Sequence, residues 1–132
     1  MSVTYLLDTD WVIDYLNDKE PTSSKIDELR DKSIGISIIS LAELYEGIIN
    51  SKDPESSEKL LLGFMSGISV IGIDEEICRI FGNLRGKLRK KGLLIDDFDL
   101  VITSTALCYE ITLCTNNRKH YDRIEGLKIL SA

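Results

Sequence analysis

Apolar positions along the chain fall into short continuous runs separated by stretches of helical spacing. Val3 to Leu7 (VTYLL) is a β-prone run that stops at Asp8. From Asp10 the spacing changes, and Trp11, Val12, Tyr15 and Leu16 recur as one face of a short helix. Pro21 to Arg30 predicts a second helix carrying Ile26 and Leu29, with the proline near its first turn. Ile34 to Ile38 reads as a second strand. Ser40 and Glu43 then fit a capping box, which predicts a helix lined by Leu41, Leu44, Tyr45 and Ile48. Pro54 restarts a helix with Leu60, Leu61, Phe64 and Met65 on its apolar side, and Ile68 to Ile73 reads as a third strand.

Asp74 is placed to cap a long helix, Glu75 to Lys91, whose buried face is Ile77, Ile80, Phe81, Leu84 and Leu88 and which Gly92 ends. After the loop LLIDDF a helix runs from Asp99 to Tyr109, apolar around most of its circumference and therefore expected deep in the fold, with Thr103 and Ser104 bonded internally. Ile111 to Cys114 is a fourth strand and Leu127 to Leu130 a fifth. Short β-prone runs alternating with helices predict an α/β layer: a mainly parallel sheet of four or five strands covered by helices on both faces.

Composition narrows the class. The chain has 132 residues, 43% hydrophobic and 29% charged, which suits one globular domain over residues 1–132. Its net charge of −6 argues against a generic binder of polyanions or anionic membranes. The weakly polar stretch Leu60 to Ile73 is too short, and too rich in glycine, to span a bilayer. The first residues lack a basic secretion signal, so a cytoplasmic location is expected. Cys78, Cys108 and Cys114 have apolar neighbours and no paired spacing, and all three are expected to be core thiols.

The carboxylates are informative by position. In parallel α/β sheets ligands bind beyond the carboxyl ends of the strands. Asp8 follows the first strand, Glu43 lies one turn into the helix after the second, Asp96, Asp97 and Asp99 open a late helix, and Asn116 and Asn117 follow the fourth strand. If the strands are parallel, these oxygen side chains arrive at one edge, which is what a hard divalent cation requires. Each also has a plain structural use. Asp8 is a good helix cap, Glu43 a capping-box partner, Asp96 and Asp97 loop solvation, Asp99 a first-turn charge, and the asparagines turn formers.

The same residues carry a resemblance. YLLDTDWVIDYL (Tyr5 to Leu16), ISIISLAELYEGI (Ile36 to Ile48), LLIDDFDLVITSTAL (Leu93 to Leu107) and ITLCTNNRKHYDRIEGLKI (Ile111 to Ile129) resemble, in this order, the PIN-domain ribonucleases of the VapC toxin type. The resemblance implies a PIN-like three-layer sandwich and an Mg2+-dependent endoribonuclease, with Mn2+ as a substitute ion, acting as the toxin of a toxin–antitoxin pair. It implies Asp8, Glu43 and Asp99 as metal ligands and catalytic centre. The family often has a further acidic residue after the last core strand. Here that segment is CTNN, with Asn117 in the corresponding place and Asn116 beside it, and Asp96 is the carboxylate able to offset the missing charge.

Thr115 is either a supporting hydroxyl for the cluster or an ordinary strand residue, and His120, the single histidine, is assigned to structural or surface use. Trp11 is expected to pack the first helix. Arg85, Lys87, Arg89, Lys90 and Lys91 form a basic run that suits contact with RNA or antitoxin. A homodimer is also implied, with YEGIINS and GFMSG as apolar surface for the self-contact, and no membrane association. The competing readings are a non-catalytic nucleic-acid-binding or regulatory module, and a metal-dependent DNA nuclease or phosphatase using the same carboxylates.

Overall fold

The computed structural model describes residues 2–132. Five strands form one parallel sheet in the order β3-β2-β1-β4-β5: β1 Tyr5–Leu7, β2 Ile34–Ser37, β3 Ser69–Ile71, β4 Thr112–Cys114 and β5 Ile129–Leu130. β1 is central, pairing Tyr5 with Ile34 on one side and Leu7 with Cys114 on the other. Successive side chains of a strand face opposite ways, so Leu6 and Leu113 enter one core while Leu7 and Cys114 enter the other. Both faces are covered, and for that reason the strands read as unbroken apolar runs rather than alternating ones.

On the first face lie α1 Thr9–Leu16, α2 Thr22–Leu29, α3 Ile38–Ile49 and α4 Pro54–Met65. Trp11, Val12, Ile26, Leu44, Leu61 and Phe64 from these helices meet Leu7, Ile34 and Ile36 of the sheet. On the second face α5 Glu75–Lys91 packs beside α6 Asp97–Tyr109, followed by the short α7 Arg118–Tyr121. Leu100, Ile102, Ala106, Tyr121 and Ile124 close over Leu6 and Leu113 there. Truncating a fully buried residue such as Leu113 to alanine costs about 2–5 kcal/mol, by lost burial plus the cavity left behind.

Several expectations shift. α3 starts at Ile38, not after Ser40: Ser37 is the cap, its hydroxyl accepting from Ile39 N at 3.1 Å, because the chain leaves β2 directly into the helix. Ser40 is thereby turned into the interior and Glu43 is released from capping. α1 starts at Thr9 and α6 at Asp97, each earlier than the apolar spacing alone marks, and β3 is shorter than Ile68 to Ile73. α7 has no apolar periodicity to announce it. Cys114 is buried, but Cys78 is exposed on the outer face of α5 and Cys108 half-buried, so one of the three thiols is a core residue. α6 is as deep as expected, with Leu100 and Ile102 through Ala106 buried. Ser104 Oγ donates to Leu100 O at 2.7 Å, whereas the buried Thr103 hydroxyl has no partner.

The sheet order fixes where a ligand can sit. The chain proceeds from β1 outward to β2 and β3, then returns to the other side of β1 as β4 and β5. The connections leaving β1 and β4 therefore diverge, opening a crevice at their carboxyl ends.

Candidate active site

Asp8 is the first residue beyond β1 and only 5% exposed. Its backbone N donates to Cys114 O at 2.9 Å, extending the β1–β4 pairing by one residue. Both carboxylate oxygens are held: Oδ1 accepts from Thr9 N at 2.8 Å as the cap of α1, and Oδ2 from Thr115 Oγ1 at 2.8 Å. The capping and clustering readings of Asp8 are therefore compatible, because a carboxylate oxygen has a lone pair left after one hydrogen bond.

Thr9 links this carboxylate to the next. Its hydroxyl lies 2.7 Å from Glu43 Oε1 and 3.0 Å from Ser40 Oγ. The Thr9 hydroxyl donates most closely to the charged acceptor Glu43 and faces Ser40 Oγ with a second, longer contact. Glu43 projects from the second turn of α3 toward α1, held by this contact.

The other end is built from β4, α6 and α7. Thr115 is fully buried, and its Oγ1 accepts from Asn117 N at 3.1 Å while donating to Asp8. Asn117 Nδ2 lies 2.9 Å from His120 Nδ1, which lies 3.2 Å from Asp99 Oδ2. A continuous series of polar contacts thus runs from Glu43 through Thr9, Asp8, Thr115, Asn117 and His120 to Asp99. Residues from α3, α1, β4, α7 and α6 meet at the crevice between β1 and β4.

The charges confirm their closeness. Burial, more than any other cause, raises the Asp8 carboxyl above its ordinary range, and the Asp99 charge adds to the shift against the lowering hydrogen bonds from Thr115 and Thr9. Glu43 is raised first by burial and also by the charges of Asp8, Asp99 and Asp96. Asp10, in the first turn of α1, is pushed up to about 6 by burial and by Asp8. Its Oδ2 accepts from Asn116 N at 3.1 Å, while its buried Oδ1 has no partner.

Three neighbours serve the scaffold. Asp96 caps α6, its Oδ2 accepting from Phe98 N at 3.1 Å, and it stays close enough to raise Glu43. Asn116 points away from the carboxylates: its Oδ1 accepts from Trp11 Nε1 at 3.0 Å and Ala132 N at 2.9 Å, and its Nδ2 donates to Thr22 Oγ1 at 3.0 Å. It ties α1, α2 and the segment after β5 together behind the site. Trp11 is fully buried as expected. His120, assigned to structural or surface use, stands directly on Asp99; nothing in HYD signals this, because the contact depends on the turn of α7. Tyr121, fully buried with its hydroxyl facing Asp8 and Asp99, was also missed, since its ring reads as core.

Among the described residues, no three His, Cys, Asp or Glu side chains close to cation-ligating distance. The donor chemistry nevertheless fits a hard divalent ion: the facing atoms are carboxylate oxygens, they are raised by mutual repulsion and burial, and the cluster carries more acid than base. On the basic run, Arg85 Nε is 2.9 Å from Asp97 Oδ1 and so is partly committed, while Lys87, Arg89, Lys90 and Lys91 are exposed.

The geometry agrees with what the chain is similar to. The PIN-domain family model matches residues 5–127. A protein named ribonuclease VapC2 from Rickettsia felis is 37% identical over 126 residues, covering 93% of each chain. One named ribonuclease VapC1 from Methanocaldococcus jannaschii is also 37% identical, over 94% of this chain and 85% of that one. The crystal structure of VapBC2 from Rickettsia felis bound to a DNA fragment from their promoter contains a chain that superposes with a TM-score of 0.91 at 32% identity, covering 98% of this chain and 99% of that one. The chain belongs to the PIN-domain family, in its VapC branch.

Proposed function

We propose that the protein is an Mg2+-dependent endoribonuclease, the toxin of a toxin–antitoxin pair, with Asp8, Glu43 and Asp99 as its catalytic and metal-holding residues. The observation that carries this is the polar series from Glu43 to Asp99, which assembles three distant carboxylates at the sheet's switch point. Relatives named ribonucleases over nearly the full chain supply the substrate class.

A bound Mg2+ ion supplies Lewis-acid activation of water and neutralises charge developing on phosphate oxygens. The protein's own part is to place the carboxylates before that ion arrives. Thr9 and Thr115 fix the rotamer of Asp8, Thr9 also orients Glu43, and His120 orients Asp99. Asn117 occupies the place of a fourth acid and works through its contacts with His120 and Thr115 rather than by charge, and Asp96 lends charge from the cap of α6. Positioning of this kind lowers the reorganisation needed at the moment of reaction.

The backbone of the RNA meets the C-terminal half of α5. Lys87 and Lys91 line a groove of about 300 Å³ with Arg123, whose Nη1 donates to Leu93 O at 3.1 Å and so braces the loop leading into α6. Phosphate contacts of this kind position a strand without reading its sequence.

An antitoxin seat lies on the opposite flank. Ile13, Leu16, Leu44, Gly47, Ile48 and Leu60 line an apolar groove of about 260 Å³ between α1, α3 and α4, and Glu43 stands at its lip. A partner segment lying there reaches the carboxylates. The exposed Ile49 at the end of α3, 73% accessible, supports the self-association surface in YEGIINS. No helix of the described residues is long and apolar enough to cross a membrane.

The test compares native protein with Asp8→Asn and Asp99→Asn on a panel of structured RNAs across an Mg2+ series, with unfolding in EDTA as the control. Loss of cleavage in both variants with apo folding intact supports the assignment. Native-level cleavage by either variant at limiting Mg2+ removes that residue. Cleavage of DNA in place of RNA, or duplex binding without cleavage, replaces the reading with one of its competitors.

A further inference from the structure

Tyr121 closes the floor of the crevice. Its side chain is fully buried in the α5–α6 core, packed with Leu6, Leu100, Leu113 and Ile124. Its hydroxyl is different from the rest of the ring. It is buried, has no hydrogen bond of good geometry, and faces the carboxylates of Asp8 and Asp99. A phenylalanine would fill the same core volume without this cost, since a buried hydroxyl left unpaired forfeits about 1–3 kcal/mol.

No other acceptor competes for that proton. The oxygens of Asp8 already accept from Thr9 N and Thr115 Oγ1, and Asp99 Oδ2 lies 3.2 Å from His120 Nδ1. The Tyr121 hydroxyl comes to the same two carboxylates from a ring packed in the core.

We propose that Tyr121 is a positioning residue of the metal centre: its hydroxyl, unpartnered beside Asp8 and Asp99, would donate its one proton to one of these carboxylates when the site is loaded and so steady that ligand. The inference rests on the proposed metal site and adds a residue to it. In the metal-free protein the hydroxyl lies between two acceptors without satisfying either. With a cation held by Asp8 and Asp99, a carboxylate oxygen would have a lone pair free to accept from the phenol, so this hydrogen bond would accompany ion binding. Partners behind the ligands set both their orientation and their basicity.

The probe is Mn2+ alone, titrated into native protein, Tyr121→Phe and Asp8→Asn, and followed by calorimetry and by tyrosine near-ultraviolet difference absorbance, with thermal unfolding in EDTA in parallel. Tyr121→Phe is expected to bind Mn2+ about tenfold more weakly, to lose the Mn2+-induced tyrosine difference band seen in native protein, and to unfold in EDTA at the native temperature or above it. The metal-free result separates this role from a structural one, because a hydroxyl needed for packing lowers the unfolding temperature without metal.

Native Mn2+ affinity in Tyr121→Phe, with binding lost in Asp8→Asn, overturns the role of Tyr121 and leaves the metal site standing. An unchanged tyrosine spectrum on Mn2+ binding to native protein overturns it as well, whether or not the variant folds. Absence of Mn2+ binding in native protein overturns both.

Discussion

The two sides of the crevice are built differently. On the β1–β4 side Asp8 and Thr115 are buried, 5% and 0% exposed, and joined across 107 positions of sequence by one short hydrogen bond. On the α6–α7 side the Asp99 and His120 side chains are 19% and 46% exposed and meet at a longer 3.2 Å. The first side takes its geometry from the sheet, and the second from two helix starts that pack on it. A cation site assembled from both has one fixed ligand and one adjustable one. The fixed side sets position, and the adjustable side can accommodate an ion and a phosphate arriving together.

The strongest way to break this contrast is Thr115→Val. The change keeps the shape but leaves Asp8 Oδ2 without its donor in a buried place, an expected cost of about 1–3 kcal/mol. Denaturant unfolding of the metal-free protein measures it, RNA cleavage is expected to fall at least about tenfold, and Thr115→Ser is expected to restore most of both. If Thr115→Val is as stable and active as native protein, the fixed side is not fixed by this bond.

A smaller effect follows from Asp10, whose carboxyl is pushed up to about 6 from an ordinary 3.8. A raised carboxyl in the folded state favours the protonated form, so its stabilising contribution is complete below about pH 4 and lost as pH rises through about 6. Unfolding in EDTA should therefore show stability falling mainly between about pH 4 and about pH 6, by on the order of 1 kcal/mol after solvent screening. Asp10→Asn is expected to flatten that part of the profile. A native profile unchanged by the substitution would place the pH dependence in other groups.

The adjustable side predicts milder losses. His120→Gln removes a half-exposed contact, so it is expected to cost under about 1 kcal/mol of stability and to reduce cleavage several-fold, less than Thr115→Val does. Smallest of all is Arg85→Ala. Its ion pair with Asp97 is exposed and contributes about 0.5 kcal/mol. The slope of log RNA affinity against log salt should change less for Arg85→Ala than for Lys87→Ala, which is expected to reduce it by about one. Equal slopes would mean that Arg85 leaves Asp97 for phosphate.

The strands and the deep α6 were legible because burial on both faces writes itself as continuous apolar runs. Helix starts were less so. Ser37, Ser40 and Asp8 all have capping chemistry, and which serine caps α3 was decided by where β2 ended rather than by the residue type. Strand ends and parallel order put Asp8 and Glu43 at one edge of the sheet, whereas Asp99, on a helix that follows no strand, was singled out by the resemblance to the PIN-domain ribonucleases. The contacts that organise them were not legible, since Thr9 to Glu43, His120 to Asp99 and Tyr121 beside both aspartates depend on side-chain directions that no spacing encodes. Asn116 shows the converse: an apparent site residue whose amide is consumed by Trp11, Thr22 and Ala132.

The central position of β1 has a consequence in time. Its two partners lie far apart in sequence, β2 near residue 34 and β4 near residue 112, and contacts of such long range form late and slowly. During synthesis the chain emerges from its N-terminus. A nascent chain extended through β3 already carries Asp8 and Glu43, yet it has neither Thr115 to hold Asp8 nor Asp99 to complete the cluster. On the proposed assignment the half-made chain lacks the assembled cluster, which is completed only when β4 docks beside β1.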